Sequence, residues 1–267
     1  MLKARLISAA VMVPLVVAGI LLLPTPVIAL VMALIIGVGL WEWSRMVPLQ
    51  AGMAQLVFIG AGLLLAGLIW MMTPAAVITA LLFAAFLWWL WALYWLSHPE
   101  FPAPPWLKIV AGYLVMLPAW AALVVLHGRA ADGPLLTLYL LVLVWLADSG
   151  AYFSGRRWGK RKLAPVISPG KTREGVYGAI AASAVFALVA GLLYSHAVVW
   201  TAGLMLVSIV AVMFSIAGDL LESLMKRQVG IKDSSHIIPG HGGILDRIDS
   251  LTAAAPIFLL GLQWMRL

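Results

Sequence analysis

The chain contains 267 residues, of which 64% are hydrophobic and 10% are charged, and its formal net charge is +7. Together with a mean hydropathy of +1.07, this composition excludes an ordinary soluble globular protein and indicates a polytopic membrane protein. The chain has no cysteine, which excludes disulfides, thiolate metal sites and thiol nucleophiles.

Long uncharged stretches predict an all-α fold, a polytopic transmembrane helix bundle of about nine spans that forms a single integral membrane domain over residues 1–267. The predicted spans are residues 6–23, 26–41, 53–72, 75–96, 106–126, 134–153, 176–195, 197–218 and 250–265. The first apolar stretch follows Lys3 and Arg5 as in a signal peptide. Because it lacks a small-residue cleavage site, we expect it to remain as a helix.

Lys and Arg residues orient the bundle, because short loops that carry them stay in the cytoplasm. With a cytoplasmic N-terminus, all 17 Lys and Arg residues except Arg129 and Arg266 fall on the cytoplasmic side. The polar segments 154–175 and 219–249 then share that face, and an odd number of spans places the C-terminus outside. Most acidic residues lie in the second half of the chain, so residues 1–130 are predicted mainly as scaffold and 134–267 as the catalytic half.

The sixth predicted span carries an acidic residue, Asp148, at its cytoplasmic end. An ionisable residue at that depth is a functional candidate. In the following polar segment, Arg156–Lys162 also fits simple anchoring to anionic lipid. Gly170-Lys171-Thr172 superficially matches the end of a P-loop, but Pro165 replaces the first glycine and membrane helices, rather than a strand, precede it.

Three aspartates in the segment 219–249 form a candidate metal site. Asp246 and Asp249 are three residues apart, so a helix would project both from one face, and Asp219 ends the eighth apolar run. Carboxylate oxygens of this kind bind hard divalent cations. The same aspartates fit structural ion pairing equally well, with the nearby cations Lys226, Arg227 and Arg247 as partners.

The glycine-rich loop Pro239–Gly243 lies between these aspartates and favours the metal interpretation. Glycines let backbone amides approach a ligand closely, and Lys226, Arg227 and Lys232 flank the loop. Glycine, cations and carboxylates together suit a metal-bound polyphosphate.

A spaced pattern runs from Ser223 to Asp249. Its specified positions are Ser223, Met225, Lys226, Arg227, Lys232, Asp233, Ser235, Ile238, Pro239, His241, Gly242, Gly243, Asp246, Arg247 and Asp249. This pattern resembles the signature of the phosphatidate cytidylyltransferases, the CDP-diacylglycerol synthases. Ala147–Phe153 and Ser168–Gly175 are similar to companion motifs of that family. The resemblance covers the C-terminal half, whereas the N-terminal half matches only in hydrophobic character.

The resemblance implies a reaction in which CTP and phosphatidate give CDP-diacylglycerol and pyrophosphate. It implies Mg²⁺ as cofactor, leaves open a second cation, and places the site on the cytoplasmic side of a membrane, expected to be the bacterial inner membrane. No nucleic-acid partner is expected, and a homodimer is compatible with the resemblance although the sequence does not show one.

The resemblance also assigns roles to residues. Metal binding is assigned to Asp219, Asp246 and Asp249, and the catalytic residues are predicted to be Asp219, Lys226, Arg227, Asp246 and Arg247. Lys226, Arg227, Lys232, His241 and Arg247 are expected to contact phosphate groups and CTP. The opposing wall is predicted from Ser168, Lys171, Thr172 and Glu174, and the substrate-binding set further includes Asp148, Ser223, Asp233, Gly242 and Gly243.

Two alternative classes of protein predict different sequence features. A CDP-alcohol phosphatidyltransferase would show a compact aspartate run that begins D-x-x-D-G, and the sequence has none. A small transporter would use Asp148 and Asp219 as coupling-ion sites along a path through the membrane. In that case charges should be distributed along several helices, whereas here they gather near one face.

Overall fold

The computed structural model describes residues 2–47, 49, 52–71, 75–130, 132–194, 197–238 and 242–265, with residues 2–9 described by their backbone only. Its helices are α1 Leu2–Leu22, α2 Thr25–Ser44, α3 Met53–Met71, α4 Ala75–Ser97, α5 Pro105–His127, α6 Gly133–Trp158, α7 Arg173–Tyr194, α8 Val198–Gln228 and α9 Leu245–Trp264. A β-hairpin of β1 Lys162–Ala164 and β2 Ser168–Thr172 lies between α6 and α7. The predicted helical bundle is confirmed.

Each predicted span corresponds to one helix, but not all of the helices are equally suited to a membrane. Among the described residues, seven helices, α2 to α8, are long and apolar enough to cross a membrane. The described apolar part of α1, Ala10–Leu22, is shorter, and α9 begins with charged residues. The chain is therefore an integral membrane protein, and nine spans is an approximate number.

Two helices continue well beyond their predicted ends. The sequence analysis ended the sixth and eighth spans at residues 153 and 218, whereas α6 continues to Trp158 and α8 to Gln228. These predicted ends were wrong because each apolar run ends at polar or charged residues, and such residues do not by themselves end a helix. In α8 the extension stays packed within the bundle, since Leu220, Leu221 and Leu224 are buried together with the charged residues Glu222 and Lys226.

The core of the bundle is centred on α5, the most buried of the seven apolar helices. Trp43, Trp89 and Trp95 are fully buried beside it, and Phe258 of α9 fills a second cluster between α6 and α8. Leucine and valine side chains on the outer faces of α3 and α7 are exposed, as expected where the neighbouring solvent is lipid.

Side-chain contacts identify the two ends of the bundle. At one end, Thr25 contacts His127 and the Tyr194 hydroxyl donates to Asp132. At the opposite end, Arg227 of α8 donates to the carbonyl of Ile167 in the hairpin. The structure thus brings the two predicted polar segments, 154–175 and 219–249, together at a single end.

Candidate active site

The first wall of the site is the β-hairpin, which the sequence analysis did not predict. Its strands are antiparallel, with Lys162 opposite Thr172 and Ala164 opposite Ser168. The Glu174 carboxylate accepts hydrogen bonds of 3.1 Å from the backbone N–H groups of Lys160 and Arg161, which secures the chain between α6 and β1.

Thr172 joins the hairpin to α7. Its hydroxyl accepts a 3.1 Å hydrogen bond from the Gly175 N–H, one of the free donors in the first turn of α7. Helix α6 packs closely on this turn, since a Cβ placed on Gly155 would lie 3.0 Å from the Thr172 hydroxyl. The Thr172 side chain therefore helps to fix the start of α7. Glu174, which belongs to the same predicted wall, binds backbone amides.

A cavity of about 420 Å³ lies between the hairpin and helices α6, α7, α8 and α9. Its lining residues are Asp148, Ala151, Tyr152, Gly155, Arg156, Leu163, Gly170, Lys171, Thr172, Gly175, Val176, Ile216, Asp219 and Ser250. Lys171 and Asp219 form an ion pair across it, with 2.6 Å between Nζ and Oδ2. Four predicted site residues, Asp148, Lys171, Thr172 and Asp219, thus surround one concave space.

A second charged group lies along the contact between α8 and α9. Lys226 Nζ is 3.2 Å from Glu222 Oε1 and 2.6 Å from Asp246 Oδ1. Glu222 and Lys226 are only 2% and 8% exposed. Asp249, one turn after Asp246, lies near Glu222 and Asp219. We call Asp219, Glu222, Lys226, Asp246 and Asp249 the ionic seam.

Asp246 is surrounded by hydrogen-bond donors. Besides Lys226, its carboxylate accepts the backbone N–H of Ser234 at 3.0 Å, the Ser234 hydroxyl at 2.9 Å and the Gly243 N–H at 2.8 Å. Such donors stabilise the ionised form. Gly242 has a φ of +86°, and a Cβ there would lie 2.6 Å from Asp246 Oδ2. Gly242 and Gly243 therefore allow the chain to pass close to this carboxylate.

Glu42 of α2 is a site residue that the sequence analysis missed. It is fully buried, and its carboxylate accepts the N–H groups of Ile244 at 3.0 Å and Leu245 at 2.6 Å. It also accepts the hydroxyls of Ser234 and Ser235. A usable signal existed, because Glu42 is an acidic residue at the end of an apolar run, the same property that singled out Asp148.

The other predicted residues lie around this charged group. Ser223 donates to Asp219 Oδ1 at 3.4 Å, and Arg227 donates to the carbonyls of Ile167 and Ile231. Ser168 is half-buried in β2. The side chains of Lys232, Asp233 and Arg247 are exposed. His241 lies outside the described residues, as do Pro239 and Gly240.

The predicted metal ligands do not converge on one point. Asp246 is engaged by Lys226 and the loop, and Asp219 by Lys171. In the described part of the chain, no group of three or more Asp, Glu and His side chains is arranged to hold a metal ion. Asp219 and Asp249 still supply the hard oxygen donors that suit Mg²⁺. Metal binding by Asp219, Asp246 and Asp249 stays a prediction.

Comparison with known sequences gives a match over nearly the whole chain. The sequence model of the cytidylyltransferase family matches residues 3–265. A Pseudomonas aeruginosa protein named phosphatidate cytidylyltransferase is 42% identical over 263 residues, which cover 97% of this chain and 96% of that protein. A Haemophilus influenzae protein of the same name is 37% identical over an alignment of 284 positions, gaps included, that covers 97% of each chain.

Proposed function

The chain belongs to the cytidylyltransferase family, and we propose that it transfers the cytidylyl group of CTP to phosphatidate, forming CDP-diacylglycerol and pyrophosphate. It is a nucleotidyltransferase of phospholipid synthesis, and CTP and phosphatidate are its substrates. The observation that carries the proposal is the full-length similarity to two phosphatidate cytidylyltransferases. Nothing favours the transporter alternative.

Purified protein in detergent, supplied with CTP and phosphatidate, tests the proposal directly. We expect CTP-dependent formation of CDP-diacylglycerol with release of one pyrophosphate for each lipid converted. A correctly folded protein that consumes neither substrate would refute the activity.

The charges of the site suit this reaction. CTP is a polyanion and phosphatidate carries a phosphate monoester, so bringing the two together requires several cations. Lys171 lines the cavity, and the exposed cations Arg227, Lys232 and Arg247 lie within a few residues of Lys226 or Asp246 in the sequence. These residues are proposed to bind the phosphate groups of the two substrates and to stabilise the departing pyrophosphate.

Magnesium is proposed as the cofactor. Asp219 and Asp249 offer carboxylate oxygens at the cavity and in the adjoining seam, and Asp246 lies one helical turn from Asp249. When bound, Mg²⁺ would offset the negative charge of the triphosphate. The ion pairs Lys171–Asp219 and Lys226–Asp246 keep these carboxylates oriented in the described structure.

The site is proposed to face the cytoplasm at a bacterial inner membrane, since CTP is dissolved in the cytosol. We predict that a reporter fused to the C-terminus will be extracytoplasmic and that one inserted at residues 157–162 will be cytoplasmic, because nearly all Lys and Arg residues then lie inside. Accessibility labelling of both fusions in intact cells measures this. Cytoplasmic signals at both positions would contradict the odd number of spans.

Cytidylyl transfer is predicted to be direct, without a covalent enzyme intermediate. The phosphate of phosphatidate has a second pKa near 6 or 7, like other phosphate monoesters, so its dianion can attack the α-phosphorus of CTP without a strong general base. The chain also has no cysteine that could serve as a nucleophile. Catalysis then consists of aligning the two substrates and stabilising the charge on the departing pyrophosphate.

Isotope exchange tests direct transfer. Labelled pyrophosphate should enter CTP only when phosphatidate or CDP-diacylglycerol is present. Rapid exchange with CTP and lipid-free enzyme alone would reveal a cytidylyl-enzyme and exclude the direct mechanism, while leaving the overall reaction intact.

A further inference from the structure

The hydrogen-bond partners of the Glu42 side chain lie about 200 residues away from it in the sequence. Both of its carboxylate oxygens are used: Oε1 accepts the Ser235 hydroxyl and the Ile244 N–H, and Oε2 accepts the Ser234 hydroxyl and the Leu245 N–H. The two serines lie before the glycine-rich loop and the two amides begin α9. One buried carboxylate therefore fixes the chain on both sides of this loop.

The Glu42 carboxylate also provides hydrogen-bond acceptors for N–H groups at the start of α9. The first N–H groups of an α-helix have no partner within the helix, and the residue that precedes α9, Ile244, offers no capping side chain. Glu42 supplies a negative charge and two acceptors to these donors from another helix. The start of α9, where Asp246 lies, is thereby held against the end of α2.

A single hydroxyl connects Glu42 to the ionic seam. The Ser234 Oγ is 3.1 Å from Glu42 Oε2 and 2.9 Å from Asp246 Oδ2, so its one proton can be donated to either carboxylate, but to only one at a time. Arg45, the residue that follows α2, donates to the Ser234 carbonyl at 3.1 Å. Space around this point is filled, because a Cβ on Gly243 would overlap both Ser234 Oγ and the Glu42 carboxylate.

We propose that Glu42 is a positioning residue for CTP. Through its contacts with Ser234 and with the start of α9, it fixes the position of Asp246 and of the chain that follows Lys232. The inference rests on the proposed function, in which Asp246 is a proposed magnesium ligand and Lys232 is proposed to bind substrate phosphate. Glu42 itself touches no reacting group in this account.

The variant Glu42→Gln tests the proposal. Each oxygen of Glu42 accepts one backbone N–H, so the amide NH₂ of glutamine would oppose a fixed donor in either orientation. We expect the KM for CTP to rise roughly 10- to 100-fold, because hydrogen bonds to a charged group are lost where the loop is held. Hydrogen exchange at the amides of Ile244 and Leu245 should also become faster.

Two further variants make the test decisive. Ser235→Ala removes only one donor to Glu42, and we expect about a threefold rise in the KM for CTP with little change in melting temperature. Ser44→Ala is the matched control, because Ser44 is buried on the same helix end but its hydroxyl donates to the Trp41 carbonyl. That variant should leave both the KM and the amide exchange unchanged.

The outcomes separate positioning from a general structural role. A structural role alone would lower the melting temperature and the active fraction while the KM for CTP stayed constant, and that result would overturn the proposal. If Glu42→Gln does not fold, an unchanged KM in Ser235→Ala overturns it equally. Unmodified protein that does not use CTP would refute the proposed function, while the exchange measurement would still test whether Glu42 holds the start of α9.

Discussion

Replacing Asp246 with asparagine is expected to lower turnover by a factor of about 10² or more in a protein that still inserts into the membrane. Lys226 binds Oδ1, whereas Oδ2 accepts the N–H groups of Ser234 and Gly243. The asparagine NH₂ would therefore meet a donor on whichever side it lies. The variant loses the charge and the fixed arrangement of the glycine-rich loop together.

Asp219→Asn is expected to have an effect of the same size, about 10² or more, for a related reason. Asp219 is the partner of Lys171 across the cavity and supplies a hard oxygen donor there. Its loss leaves Lys171 without its carboxylate and removes a proposed metal ligand. Turnover is measured with both substrates and Mg²⁺ at saturating concentrations.

Asp132→Asn is the matched control for both substitutions. Asp132 lies at the opposite end of the bundle, where it contacts Arg129 and Tyr194, so the same chemical change should affect turnover little. Near-normal turnover in Asp219→Asn or Asp246→Asn would remove that residue from the site. Equal losses in all three variants would indicate a general effect of neutralising aspartates.

The helical bundle could be predicted from the sequence because the membrane imposes a strong local pattern. About 20 apolar residues are needed to cross the hydrocarbon core, and each such stretch became a helix. The limits of α6 and α8 could not be predicted in this way. Beyond residues 153 and 218 the chain leaves the apolar pattern without meeting a residue that ends a helix.

The hairpin escaped prediction because its strands are short and β2 contains proline and glycine, which are unfavourable in strands. Its formation depends on contacts such as those from Glu174 to the amides of Lys160 and Arg161. These contacts depend on how α6 and α7 pack together, and a local sequence pattern does not predict that packing.

Candidate charged residues were easier to identify from the sequence than the partners that they contact. Charges near an apolar boundary drew attention to Asp148, Asp219 and Asp246, and the first two line one cavity. The sequence does not show which of several cations each carboxylate will bind. Glu42 ends an apolar run as Asp148 does, but its partners could not be predicted because they lie about 200 residues away in the sequence and only the folded bundle brings them close.

Lys226→Met is expected to lower the free energy of unfolding by about 3 to 5 kcal/mol, the usual cost of leaving buried charge without its partner. Lys226 lies between Glu222 and Asp246, and Glu222 is only 2% exposed. Methionine keeps most of the volume but leaves both carboxylates without a cationic partner, although Asp246 keeps its hydrogen bonds from Ser234 and Gly243. Thermal unfolding of the purified protein in detergent, followed alongside CTP turnover, measures both consequences.

Lys171→Met is the contrasting variant, because the side chains of Lys171 and Asp219 are 26% and 30% exposed. Removing that more solvated pair should change stability by at most about 1 kcal/mol. Adding Glu222→Gln to Lys226→Met should recover part of the lost stability, since one uncompensated carboxylate disappears, while turnover stays low because Asp246 still lacks its cation. A melting temperature in Lys226→Met equal to that of the unmodified protein would show that Glu222 and Asp246 do not depend on this lysine for their burial.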